Sequence, residues 1–162
     1  MLNKLRLVVL FLTVSLLLTF PHVSIAQSPE TFGLTVQNTL PGSAKYPLKR
    51  IKEKIKYMLT FTQKTKFSYR KLLLEKRLSE LASLVDNKNL TEIIRAGERF
   101  AYQAGIFAEN SIKGQKTVIE SIFTQHKTIL SKLRDKFPAN SAYWLSIQQD
   151  IDALNILGAK LK

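Results

Sequence analysis

Between Lys45 and Arg77 the chain carries twelve Lys and Arg residues against two acids, Glu53 and Glu75. By residue count this segment alone holds a charge of about +10. Side chains of this type at this density attract anions; they do not by themselves make or break bonds. The residues expected to touch an anionic partner are Lys49, Arg50, Lys54, Lys56, Lys64, Lys66, Arg70 and Lys71. Tyr46, Tyr57, Phe61, Phe67 and Tyr69 interleave with them, in the manner of base-stacking platforms.

Other chemistry has few carriers. There is no Cys, and the second of two His residues, His126, stands without a clustered ligand. A zinc-like site therefore lacks its donors, and no metal or cofactor is expected. No serine sits in a G-x-S-x-G setting, and no glycine-rich phosphate loop occurs. Most acids fall at helix-pairing positions, Lys71 with Glu75 and Lys76 with Glu80, and read as surface ion pairs. The chain is expected to have no enzymatic activity and no catalytic residue.

The elements that must position the cations are helices. Pro47 suits the first turn of one, after which Leu48, Ile51, Ile55, Met58 and Leu59 recur on one face. Lys49, Arg50, Lys54 and Lys56 fall opposite. Thr62 is placed to cap a second helix with a stripe of Phe67, Leu74, Leu78, Leu81 and Val85. Asn89 with Glu92 resembles a capping box opening a third, rich in Ala and Gly. Gly114 separates it from a fourth that ends at Pro138, and Asn140 or Ser141 caps a fifth. No segment alternates with period two. The expected fold is all-α, a four- to five-helix bundle over residues 45–162. Leu48, Ile51, Ile55, Leu78, Leu81, Phe100, Phe123 and Trp144 are its expected core.

The first 26 residues read as an export signal. Lys4 and Arg6 precede an uncharged apolar run, Leu7 to Phe20, and Pro21 closes it. Ser24 and Ala26 are the small residues of a cleavage site between Ala26 and Gln27. The run is short of the ~20 residues that span a bilayer; left uncleaved, it would act as a signal-anchor. No Lys or Arg follows until Lys45, which favours translocation of that side. Residues 27–44 form an extended leader, with Leu40-Pro41-Gly42-Ser43 as a turn before the helix. The chain is expected to be periplasmic or secreted.

From Leu40 to Leu81 the sequence resembles the bacterial exported domain-of-unknown-function family 5667. The resemblance is carried by Leu40, Pro41, Ser43, Tyr46, Leu48 and Lys49, by Leu59 and Phe61, and by Glu75, Arg77, Leu78 and Glu80. Ala44 and Leu74 depart from the pattern, which has Pro and Ala there. A looser likeness covers His126 to Ile151, through His126, Leu130, Leu133 and Pro138. The resemblance implies an extracytoplasmic helical domain and supplies no catalytic residue.

The resulting expectation is an exported helical interaction domain whose cationic first hairpin meets an anionic membrane or envelope surface, or an acidic protein. Nucleic acid is disfavoured, since export removes the cytoplasmic target. The alternative is an envelope-stress sensor or chaperone-like protein that binds misfolded clients, which requires an exposed apolar surface. The direction taken by the face from Leu48 to Leu59 separates these classes.

Overall fold

The computed structural model describes residues 28–110 and 114–161. The expected export signal and its expected cleavage site, Ala26–Gln27, lie outside them. The described residues form five α-helices: α1 (Tyr46–Met58), α2 (Gln63–Asp86), α3 (Leu90–Glu109), α4 (Lys116–Arg134) and α5 (Ala142–Ala159). Helix α2 packs on α3, α3 on α5 and α5 on α4, with a narrower contact between α2 and α4. No described helix is long and apolar enough to cross a membrane.

The core is the common interior of α2–α5. Leu74, Leu78 and Leu81 meet Ile93, Phe100 and Phe107 of α3, Ile119, Phe123 and Leu130 of α4, and Ile147 and Leu154 of α5. Of the expected core, Leu78, Leu81, Phe100 and Phe123 are buried there. Trp144 is half-buried beneath the Arg134 guanidinium, 5.0 Å from its ring centroid. Ala96, Gly97 and Ala104 are the small, buried residues of α3 that let its neighbours approach closely.

The helix boundaries follow from local chemistry. Thr62 Oγ1 accepts from the Thr65 amide at 3.1 Å, and Ser141 Oγ from the Trp144 amide at 3.3 Å. Thr62→Ala should therefore cost about 1 kcal/mol in a denaturant titration; no loss would mean that the cap is idle. Asn89 makes no side-chain cap bond, and the expected capping box is not formed. Glu92 is drawn instead to Arg95 and Arg99, at 3.3 and 3.8 Å. Helix α4 ends at Arg134, before Pro138, because its chain tightens into i→i−3 bonds from the amides of Lys136 and Phe137.

The leader is tied down. A 3-10 turn (Pro29–Phe32) leads into a strap whose Phe32, Leu34 and Leu40 pack on the core. Ser79 Oγ of α2 donates to the Thr35 carbonyl at 2.5 Å. The Leu40–Ser43 turn forms as expected, with Ser43 N and Oγ both donating to the Leu40 carbonyl. Gly42 takes φ +86°, and a Cβ there would stand 2.9 Å from Glu92 Cγ, so the turn needs glycine twice over.

Candidate functional site

Helix α2 explains the geometry of the cationic hairpin. Its second half is enclosed by the strap, α1, α3 and α4, and every residue from Arg77 to Val85 is buried. Arg77 and Glu80 are therefore interior charges, each 1% exposed, and they require partners. Helix α1 supplies these from its polar face. Tyr46 Oη donates to Glu80 Oε2 at 2.8 Å, and Lys49 Nζ to Glu80 Oε1 at 2.7 Å. The Arg77 fork joins the two helices: Nη1 donates to Glu80 Oε1 at 2.6 Å and Nη2 to Glu53 Oε2. Tyr69 Oη adds a bond to the Glu53 carbonyl at 3.1 Å.

Burial would pull the Arg77 pKa down, but the Glu80 and Glu53 carboxylates outweigh it and raise it. Burial and then the Glu80 charge push Tyr46 up to about 12, so its hydroxyl keeps the proton it donates. One of the two expected surface pairs is corrected here. Glu80 is not in a surface pair with Lys76; it is an interior acid held by Arg77, Lys49 and Tyr46, while Lys76 reaches Glu53 at 3.8 Å. The Lys71–Glu75 pair does form, at 3.6 Å.

The consequence for α1 is an inside-out orientation. Its polar side faces the protein, so its apolar side faces solvent. Leu48, Ile51, Ile55, Met58 and Leu59, with Phe61 beyond, are between 53% and 83% exposed. Leu48, Ile51 and Ile55 are thus not core residues as expected. Docking that stripe on α2 would have left the buried Arg77–Glu80 pair without Glu53, Lys49 and Tyr46 for its remaining donors and acceptors, the costlier arrangement.

The expected cationic contacts divide accordingly. Lys54, Lys56 and Lys64 are exposed, and Lys66 and Lys71 half-buried. Arg50 is half-buried, 3.3 Å from Glu53. Lys49 points inward to Glu80, and it also bonds Gln37 Oε1 and the Thr39 carbonyl. Arg70 is buried against Tyr57 and Asn110. Neither of these two presents its charge to solvent. Of the interleaved aromatics, Tyr46, Phe67 and Tyr69 are buried as well.

Lys52 was missed, although it is exposed and lies beside the apolar stripe. A helical projection identifies it: at 100° per residue Lys52 and Lys56 fall on one border of the stripe and Lys54 on the other. The surface is therefore an apolar band with ammonium groups along both edges, carried on a helix fastened by ion pairs.

No curated protein and no solved structure matches this chain. A family model does, over residues 38–140, from the end of the strap through α1–α4. The residues carrying the likeness have clear places in the structure: Tyr46, Lys49, Arg77 and Glu80 in the buried network, Leu48, Leu59 and Phe61 in the exposed stripe. The match spans well over half of the sequence, and the chain belongs to the family described as Domain of unknown function (DUF5667).

Proposed function

We propose that the chain is an exported helical interaction domain that docks on an anionic membrane surface through α1. The observation that carries this reading is the outward stripe of Leu48, Ile51, Ile55, Met58, Leu59 and Phe61, bordered by Lys52, Lys54 and Lys56. An interfacial helix has this cross-section: apolar side chains enter the acyl boundary while lysine stems lie along it and their ammonium groups reach the head groups. Each such lysine adds about 1 kcal/mol near an anionic leaflet, reduced by salt.

Co-sedimentation of the exported chain, Gln27–Lys162, with vesicles tests it. Binding is expected to anionic and not to zwitterionic vesicles, and to weaken at high salt. Ile51→Ser with Ile55→Ser should abolish it, and Lys52→Gln, Lys54→Gln and Lys56→Gln together should weaken it by about two orders of magnitude. The Ser variants should keep the wild-type helical circular dichroism, since both side chains already face solvent. Wild-type binding by the Ser variants would sink the proposal.

The same stripe supports a second reading, capture of unfolded apolar clients. Suppressed aggregation of a denatured protein, with no vesicle binding at any salt concentration, would favour that reading over the first.

A further inference from the structure

A cleft of about 520 Å³ opens between α1, α2 and α3, beside the outward stripe. Its apolar wall is Ile51, Leu73 and Ile106, and its polar end holds Arg70, Tyr57 and Asn110. Ile51 belongs to both the cleft and the stripe.

Arg70 is the unusual member. It is 7% exposed, and no acid pairs with it among the described residues. Its contacts are neutral: Nη1 donates to the Asn110 carbonyl at 3.2 Å, Nη2 to Tyr57 Oη at 2.5 Å and to Asn110 Oδ1 at 3.3 Å. Its Nε is buried and has no acceptor. A buried guanidinium with an unused donor and no counter-charge is a site for an anion. Glu53, the acid on the cleft wall, is engaged by Arg77 and Arg50. Arg50 and Lys54 add positive charge at the rim.

We propose that this cleft binds a single-chain anionic amphiphile, its phosphate or carboxylate head on Arg70 and its alkyl chain along Ile51, Leu73 and Ile106. The volume falls in the range of small-molecule sites, and an apolar wall ending in one cation matches an apolar chain ending in one anion. The inference rests on the interfacial reading for how the ligand arrives: Ile51 leads from the bilayer-facing stripe into the cleft.

Isothermal titration of the exported chain tests it without a bilayer, with dodecyl phosphate, dodecanoate, dodecanol and inorganic phosphate, each below any micellar concentration. Dodecyl phosphate or dodecanoate should bind one-to-one, at least about tenfold tighter than dodecanol, the margin of a charge-assisted hydrogen bond. The stronger of the two identifies the head group. Inorganic phosphate should bind far more weakly than dodecyl phosphate. Equal affinity for dodecanol would overturn the role of Arg70, and equal affinity for inorganic phosphate would overturn the alkyl-chain site.

Arg70→Gln should remove the preference for the charged head while dodecanol binding persists; an unchanged preference would overturn the assignment. The ligand series on the wild-type chain decides the matter should that variant loosen α1. Leu48→Ser with Met58→Ser, outside the cleft, should leave dodecyl phosphate affinity unchanged while reducing vesicle binding. Amphiphile binding by a wild-type chain that ignores vesicles would retain the cleft and remove the docking role.

Discussion

Arg77→Met is expected to lower stability by about 3–5 kcal/mol, the cost of breaking a buried ion pair by removing one partner. Among the described residues, Arg77 is the only one that donates to both Glu53 and Glu80. Without it the two carboxylates stay enclosed, Glu80 with Lys49 and Tyr46, Glu53 with Arg50 and Lys76 at longer range. Against a total of about 5–15 kcal/mol for a domain of this kind, that loss is a large share. It corresponds to a fall in Tm on the order of 10–20 °C. Arg77→Lys should recover part of it, since one ammonium cannot reproduce the fork. Calorimetry of the three proteins checks this, and a Tm within two degrees of wild type for Met, on the order of 0.5 kcal/mol, would contradict it.

The same substitution has a local consequence. Because the apolar side of α1 faces solvent, polar contacts hold the helix to the protein. Arg77→Met should therefore speed tryptic cleavage at Lys52, Lys54 and Lys56 under conditions where α2–α5 remain folded. The extra cleavage would show that α1 opens as a unit of low local stability.

The sequence made the five helices legible because their signals are local: apolar periodicity in α2–α5, hydroxyl caps at Thr62 and Ser141, and glycine at 114. It misplaced Leu48, Ile51 and Ile55 for a physical reason. Periodicity finds the two sides of a helix but not which side faces inward, and the usual assignment follows the apolar one. Here a buried pair on another helix reverses it. A clue existed: Glu75–Glu80 lies between Leu72-Leu73-Leu74 and Leu81-Ala82-Ser83-Leu84-Val85, runs apolar on several sides. A helix with so few solvated positions must enclose some of its charges. The cleft was not legible at all, since Arg70, Tyr57 and Asn110 meet only after α1 and α3 dock against α2. Arg70 counted as one more surface cation in a cationic segment.

Asp150 was also invisible, and it governs the second large effect. It sits on α5 against Gly97 of α3, so close that a Cβ on Gly97 would lie 2.7 Å from its Oδ2. It is 3% exposed, and Oδ2 has no hydrogen-bond partner. Burial, and then the Glu98 charge, raise its pKa from 3.8 to about 7. The folded protein therefore holds a proton that the unfolded chain releases above pH 3.8. Stability falls as pH rises from about 4 to about 7, by about 1.4 kcal/mol per unit, and is level above that. His126 runs in the opposite sense. Burial, with the Lys71 charge, lowers its pKa from 6.5 to about 4, so stability rises with pH across about 4 to 6.5.

The two slopes oppose one another, and from these two groups the wild-type protein gains little pH dependence between about pH 4 and 6.5. Asp150→Asn removes one of them. The amide is nearly isosteric and carries no charge, so at pH 5, where folded Asp150 is already protonated, the variant should match the slope set by His126. At pH 8 it should exceed the wild type by up to about 4 kcal/mol. Denaturant titrations of both proteins from pH 4.5 to 8 measure the difference. A gap that widens toward pH 7 and then stays constant is the expected result. A constant gap across the range would mean that the Asp150 carboxyl finds water or a partner and titrates as an ordinary acid. His126→Gln should show the converse, a stability that declines steadily from pH 4.5 to 7.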